Sequence, residues 1–281
     1  MKSRLAGSIV LVALVLAACT TTGTPSPSSA VPGTAASSAV PASAAPGGLT
    51  IYAAASLKAA LAKIKTAYEA AHPGTTLTVS ADSSAALETK IEQGAPADVF
   101  LSADTTNPQK LIDKGLATGS LAKFAGNLLT VIVPSANPAG IRSPVDLAQP
   151  GIKIIAAGDS VPITKYATQL VANLARQAGY PDQFASRYAL NIVSKEDNVA
   201  AVVSKIELGE GDAGIVYVTD ARTATKVTAI AVPDAANVPA TYSGVVVKAS
   251  TNADAAQAFL TWLAGPDGQA ILVTFGFLPP S

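Results

Sequence analysis

The chain has 281 residues, of which 49% are hydrophobic and 14% are charged. This composition supports about two folded domains and excludes disorder along the whole length. The nineteen basic and nineteen acidic side chains cancel, so composition indicates no basic surface for nucleic acid. A single cysteine and a single histidine argue against a disulfide framework, a cysteine-rich zinc site and a histidine-based metal cluster.

The N-terminus has the pattern of an export signal. Lys2 and Arg4 precede an apolar run from Leu5 to Ala18, which is shorter than a transmembrane helix and typical of a signal peptide. The run ends in Leu16-Ala17-Ala18-Cys19, which resembles the lipobox of bacterial lipoproteins, in which the cysteine is lipidated. We therefore expect a lipoprotein signal peptide over 1–18 and an exported protein that Cys19 anchors to the outer face of the cell membrane. A plain signal peptide with an incidental cysteine is the alternative.

The lipidated cysteine and the segment after it, residues 19–48, form the next predicted unit. Beyond Cys19 the segment is rich in Ser, Thr, Ala, Pro and Gly and contains no charged or aromatic residue. Such a composition cannot bury enough surface to offset chain entropy. We predict a disordered tether with a mean reach of roughly 30 Å.

From Leu49 onward, predicted strands alternate with predicted helices. Apolar runs indicate strands over 49–54, 76–80, 97–101, 128–133, 151–157, 189–193, 213–218 and 243–247. Helical periodicity follows Ser56, Ser84, Pro162, Asn198 and Asn252. Repeated strand–helix units predict an α/β fold with mainly parallel sheets and flanking helices, and the length favours two lobes.

Polar residues follow several of these strands where a helix begins. Ser56, Ser84 and Asp197 occupy such positions, and Tyr217 ends a strand. Ligands of open α/β sheets bind beyond the carboxyl ends of the strands, and free N–H groups at helix starts attract anions. Ordinary helix capping is the alternative for any one of these residues.

Several strings together resemble the molybdate-binding protein family of bacterial ABC importers. They are Ala53-Ala54-Ala55-Ser56-Leu57, Ser83-Ser84, the block Gly94 to Asp104, Gly126-Asn127-Leu128-Leu129, Gly158-Asp159-Ser160-Val161-Pro162, Gly214-Ile215-Val216-Tyr217, and Gly265-Pro266 with Phe275-Gly276-Phe277. The resemblance implies a two-lobed, type II periplasmic binding fold. We expect lobe I over 49–127 plus 245–281 and lobe II over 128–244, with crossovers near 126–134 and 235–247.

The resemblance also implies a ligand and its site. The ligand is molybdate or tungstate, held between the lobes as an oxyanion with no direct metal ligand and no cofactor. The residues that correspond to the family's binding groups are Ser56, Ser84, Ile163, Val199 and Tyr217, with Ser83, Thr164 and Asn198 as secondary candidates. The implied partners are an ABC permease and its ATPase, and we expect a monomer.

Two other functions are weighed against this one. A receptor for another tetrahedral oxyanion such as sulfate presents the same neutral donors. A serine hydrolase or transpeptidase is disfavoured because Ser120-Leu121-Ala122-Lys123 lacks its companion motifs, and because His72 lies in a His-Pro-Gly helix stop. We therefore expect a binding protein and not an enzyme.

Overall fold

The computed structural model describes residues 47–280. The predicted signal peptide, Cys19 and all but the last two residues of the predicted tether lie outside the described residues. Within 47–280, none of the helices combines the length and the apolar character needed to span a membrane.

The described residues form ten strands and nine α-helices. The strands are β1 (Gly48–Ala54), β2 (Thr76–Asp82), β3 (Val99–Ser102), β4 (Ala117–Asn127), β5 (Leu129–Pro134), β6 (Ile154–Ala157), β7 (Ile192–Glu196), β8 (Gly214–Tyr217), β9 (Val227–Ile230) and β10 (Ala240–Val247). The helices are α1 (Lys58–Ala71), α2 (Ser84–Glu92), α3 (Thr106–Asp113), α4 (Pro162–Leu174), α5 (Phe184–Leu190), α6 (Val199–Glu207), α7 (Val218–Thr223), α8 (Ala253–Ala264) and α9 (Pro266–Thr274). Short 3-10 turns cover Ala55–Leu57 and Pro144–Ala148.

Lobe I is built on a five-stranded sheet with the order β2-β1-β3-β10-β4. Strand β1 runs parallel to β2 and β3, whereas β10 runs antiparallel to β3 and β4. Helix α1 packs on this sheet through Leu61, Ile64 and Tyr68, which are buried at the spacing expected for one helix face. The carboxyl ends of β1 and β2 therefore lead directly into Ser56 and Ser84.

Lobe II repeats this order of strands. Strands β8-β5-β9 form an antiparallel sheet and β6-β7 form a parallel pair. The Ile155 N–H donates to the Ala213 carbonyl at 2.9 Å, next to a parallel bridge between Ile154 and Ala213. This link gives the order β7-β6-β8-β5-β9, so the starts of α4 and α6 lie at the same edge of lobe II as Tyr217.

The two-lobed, type II fold with mainly parallel sheets is confirmed, and each sheet contains one reversed strand. Among the described residues, β10 runs against the other four strands of lobe I, and β5 runs against the other four strands of lobe II. The reason is the path between lobes, since β5 and β10 each follow a crossover and enter their sheets against the neighbouring strands. Strand β10 pairs with β4 from Ala240 onward, and the division of the lobes at 128 and 245 stays a prediction.

Candidate functional site

A small cavity lies between the lobes, at the edges where β1, β2, β6, β7 and β8 lead into helices or turns. Its volume is about 10 Å³, the space of roughly one water molecule. It is lined by Ala54, Ala55, Ser56, Asp82, Ser83, Ser84, Ala103, Val161, Pro162, Ile163, Asn198, Val199 and Tyr217. The five predicted binding residues are thus brought together, and all five are buried. Of the secondary candidates, Ser83 and Asn198 line the cavity, whereas the Thr164 hydroxyl donates to the carbonyls of Ala157 and Gly158.

Tyr217 supplies an unsatisfied donor to this cavity. The residue ends β8 and is 1% exposed. Among residues 47–280, its hydroxyl oxygen is the one buried side-chain N or O atom without a hydrogen-bond partner. The rings of Tyr166 and Tyr242 pack edge-on against it at centroid distances of 6.4 and 5.7 Å. A buried tyrosine hydroxyl usually has a partner, so the Tyr217 hydroxyl is a donor that the surrounding residues leave unused.

The hydroxyl of Ser84 has a proton that is free to donate. Ser84 Oγ accepts the backbone N–H of Ala103 at 3.1 Å, which occupies a lone pair and leaves its own O–H available. Ser56 Oγ lies 2.8 Å from the Tyr242 hydroxyl, and either oxygen can be the donor of that bond. The Tyr242 hydroxyl also accepts from Asn127 Nδ2 at 3.3 Å. When Tyr242 donates to Ser56, the proton of Ser56 is available as well.

Two helices of lobe II direct their N-termini at the same space. Ile163 is the second residue of α4 and Val199 the first of α6, so their N–H groups have no acceptor within their own helices. Proline at the first position of α4 fits there because it has no N–H to satisfy. The predicted donors at 163 and 199 are thus backbone groups, favoured by the positive ends of two helix dipoles.

A chain of buried hydrogen bonds lies beneath the site and was not predicted from sequence. Asn127 Nδ2 donates to Thr219 Oγ1 at 2.9 Å and to the Tyr242 hydroxyl, and Tyr242 in turn contacts Ser56. Asn127 ends β4, at the crossover into lobe II. The only sequence signal for this role was the position of Asn127 in the family-like string Gly126 to Leu129. The chain fixes Ser56 from behind and joins both lobes at the crossover.

A buried carboxyl group lies three residues after Tyr217. Asp220 Oδ2 accepts the Tyr217 N–H at 3.1 Å. Burial raises the pKa of Asp220 to about 7, and the hydrogen bond from Tyr217 only partly opposes this. Burial also raises the pKa of Tyr217 well above its ordinary value, so its hydroxyl keeps its proton and acts as a donor.

In the described part of the chain, Asp82 is the one charged residue that lines the cavity. Burial opposes its ionisation, but hydrogen bonds from Lys90, the Ser83 N–H and Asn198 outweigh this and lower the pKa of Asp82. Lys90 Nζ lies 3.0 Å from Asp82 Oδ2, so the carboxylate is paired within lobe I. Among residues 47–280, no lysine or arginine lines the cavity, so the donors that these residues offer to an anion are neutral.

The other chemistries considered from sequence do not converge here. His72 stacks on Tyr68 at 4.0 Å and its Nδ1 contacts the Tyr68 carbonyl, and it does not line the cavity. Ser120 and Lys123 lie on the exposed part of β4. Among residues 47–280, no three His, Cys, Asp or Glu side chains are grouped as a metal would require. The walls of the cavity instead bring together hydrogen-bond donors from both lobes.

Comparison with known proteins agrees with this architecture. A family described as bacterial extracellular solute-binding protein matches residues 49–278. The chain is 35% identical over 233 residues to the molybdate-binding protein ModA of Mycobacterium tuberculosis, covering 83% of this chain and 85% of that protein. The solved periplasmic molybdate-binding protein of Azotobacter vinelandii matches with a TM-score of 0.69 and 25% identity, over 83% of this chain and 100% of the other.

A sulfate-binding protein shares the fold as well. SubI of Mycobacterium tuberculosis matches with a TM-score of 0.74 and 21% identity, over 83% of this chain and 86% of the other. At that identity the likeness is one of fold alone. The family match over nearly the whole described part, together with the relative at 35% identity, is decisive: the chain belongs to the family of bacterial extracellular solute-binding proteins.

Proposed function

We propose that this protein captures molybdate, or tungstate, between its two lobes. The observation that carries the proposal is the buried Tyr217 hydroxyl without a partner, in a cavity that Ser56, Ser84 and the first turns of α4 and α6 also line. A cavity walled mainly by donors matches a ligand that only accepts hydrogen bonds. The relatives named as molybdate-binding proteins support this ligand.

The protonation state of the ligand follows from the donors. A fully ionised tetrahedral oxyanion has no O–H and needs no acceptor. Phosphate near neutral pH carries a proton, and its O–H needs an acceptor oxygen. The carboxylate oxygens of Asp82 already accept hydrogen bonds from the Ser83 N–H, Asn198 Nδ2 and Lys90 Nζ. The site is therefore suited to molybdate, tungstate or sulfate more than to phosphate.

Neutral hydrogen-bond donors alone can account for micromolar affinity. Hydrogen bonds to a charged acceptor contribute about 1.5–3 kcal/mol each. Five such donors, less the costs of desolvation and closure, can supply the roughly −8 kcal/mol of a micromolar complex. The cavity of this closed, ligand-free arrangement has the size of about one water molecule. An ion with five heavy atoms therefore enters while the lobes are apart, and the lobes then close around it slightly less tightly than here.

Titration calorimetry with four anions tests the ligand. We expect molybdate and tungstate to bind at micromolar concentration or below, sulfate to bind more weakly and phosphate not to bind. Tighter binding of sulfate than of molybdate would support the sulfate alternative. Absence of binding by all four anions would refute the function, and labelling of Ser56 or Ser84 by a nucleophile-directed probe would instead support an enzyme.

The location and the delivery step extend the same proposal. We infer that the protein is exported, held at the outer face of the cell membrane by lipid on Cys19, and that it passes its ligand to an ABC permease with its ATPase. The apolar run before Leu16-Ala17-Ala18-Cys19 supports this anchor. Changing Cys19→Ser should release the protein from the membrane fraction or leave it unprocessed. If the variant stays processed and membrane-bound, the anchor is wrong.

Closure of the lobes is the expected conformational response. Two crossovers join them, after β4 and before β10, and such pairs of connections permit hinge motion. Small-angle scattering should show a smaller radius of gyration when saturating molybdate is added. An unchanged profile at saturation would count against closure.

A further inference from the structure

One hydrogen bond crosses the cleft at the rim of the cavity. Asn198 Nδ2 in lobe II donates to Asp82 Oδ1 in lobe I at 3.2 Å. Both residues line the inner cavity, and both also line an outer crevice of about 530 Å³, as do Ser83 and Val161. Residues that face both spaces stand between them. The Asp82–Asn198 pair, called the gate pair below, therefore closes the inner cavity toward the crevice.

Each member of the gate pair is held by its own lobe. Asp82 Oδ1 also accepts the Ser83 N–H at 2.8 Å, and Oδ2 accepts Lys90 Nζ at 3.0 Å. Asn198 is the N-cap of α6, where its Oδ1 accepts the Ala201 N–H at 3.0 Å. That bond turns Nδ2 away from the helix and toward Asp82. Both groups are thus oriented before the lobes meet, and the bond between them exists only in the closed state.

The chemistry of the pair suits contact between protein groups and not contact with the ligand. A carboxylate repels an oxyanion, so Asp82 contributes nothing favourable by touching the ligand directly. An amide that donates to a carboxylate forms a stronger bond than one between neutral groups. The side chain of Asn198 is committed to that bond and to the helix cap. The pair therefore strengthens the closed state whatever oxyanion lies inside.

We propose that Asp82 and Asn198 are positioning residues that form the exit gate of the cavity, so that their bond must break before the ligand leaves. This inference rests on the proposed oxyanion function of the same cavity. Because the bond forms after the ligand has entered and the lobes have met, it slows dissociation and leaves association nearly unchanged.

Three variants of the full chain test the gate. Asn198→Ser keeps an oxygen for the α6 cap and removes the cross-cleft donor. Asn198→Asp also keeps the cap but sets a second carboxylate against Asp82. Lys114→Met is the control, because it removes a lobe I ion pair with Glu92 and touches neither member of the gate pair.

The measurement is release of radiolabelled molybdate into an excess of unlabelled molybdate. We expect release to be about 3- to 10-fold faster for Asn198→Ser and more than about 10-fold faster for Asn198→Asp, with association within about 2-fold. Lys114→Met should release at nearly the wild-type rate. Wild-type release by Asn198→Asp, or equal acceleration by Lys114→Met, would overturn the gate.

Hydrogen exchange in the ligand-free protein separates this inference from the function on which it rests. If the gate pair stabilises the closed arrangement that the ligand-free protein also samples, the Ser84 and Ile163 amides should exchange faster in Asn198→Asp than in wild type. Failure of wild type to bind molybdate would refute the proposed ligand, and unchanged exchange in Asn198→Asp would refute the gate.

Discussion

The Tyr217 hydroxyl permits a prediction in which stability and affinity change in opposite directions. Tyr217→Phe deletes a buried O–H that has no partner and keeps the ring that packs on Tyr166 and Tyr242. Leaving such a group unpaired costs about 1–3 kcal/mol. The ligand-free variant should therefore be more stable than wild type by up to that amount. The full gain is expected when the cleft stays closed, because water then cannot reach the hydroxyl of the wild-type protein.

The same change should weaken molybdate binding. One lost hydrogen bond to a charged acceptor is worth about 1.5–3 kcal/mol, which corresponds to roughly 10- to 150-fold in the dissociation constant. In thermal melts, about 1 kcal/mol is worth roughly 2–4 °C for a chain of this size. The variant should thus melt higher than wild type without ligand and gain less when molybdate is added.

Tyr188→Phe is the matched control for this experiment. Tyr188 is also buried in lobe II, but it does not line the cavity, so its loss of a hydroxyl should leave molybdate affinity unchanged. Calorimetry and melting curves on the three proteins give both quantities. If Tyr217→Phe binds molybdate like wild type, the hydroxyl is not a ligand and the site is misplaced. If Tyr217→Phe instead lowers the melting temperature of the ligand-free protein, the hydroxyl must form a stabilising hydrogen bond, and the argument from an unpaired group is wrong.

Three further changes follow from the site. Ser84→Ala should weaken molybdate binding about 10- to 150-fold by calorimetry. It should also lower stability by about 1–3 kcal/mol, because the buried Ala103 N–H loses its acceptor; an unchanged affinity would contradict the donor role. Ile163→Ala should change affinity much less than Ser84→Ala, since the predicted contribution of this position is its backbone N–H, and an equal loss would show that the side chain matters. Burial raises the pKa of Asp220 to about 7, so the folded state favours the protonated carboxyl. This contribution to stability is fully present below about pH 4 and is lost as the pH rises to 7. Asp220→Asn keeps an acceptor for Tyr217 and should flatten the urea-unfolding free energy over that range, by up to about 4 kcal/mol; an unchanged pH profile would contradict the shift.

Sequence periodicity predicted those elements that have one dominant pattern. The buried runs at β1, β5 and β8 and the amphipathic face of α1 all lie where the sequence places them. The missed strand β4 begins with exposed Thr118, Gly119 and Ser120, so its first half lacks an apolar pattern. The missed helix α9 begins at Pro266, which the sequence marks equally well as the end of α8. The apolar run at 189–193 predicted a strand, but α5 extends to Leu190, which is 83% exposed, and β7 begins at Ile192.

The residues of the candidate site divide in the same way. Ser56, Ser84 and Tyr217 follow strands, so position along the chain was enough to nominate them. Asn127 and Tyr242 act through partners that are 92 to 186 residues away in sequence. No local pattern encodes such a pairing. Asp82 was missed for another reason, since a carboxylate beside an anion site is unexpected until its bonds to Lys90 and Asn198 are known.

The placement of charge explains why a cavity without a cation depends on closure. A dianion surrounded by neutral donors exchanges its hydration for a few hydrogen bonds, and those bonds strengthen only when water is excluded and the local dielectric is low. The residues that exclude water must then come from both lobes, and the wall between cavity and crevice contains Asp82 and Asn198. Asp82 keeps its charge because Lys90 and two N–H groups hold it, and it directs that charge at Asn198 and not at the ligand. Loss of the bond between Asp82 and Asn198 would admit water to the cavity, and water would weaken the hydrogen bonds from every donor to the anion. The neutral donors in the cavity therefore depend on the charged hydrogen bond at its rim.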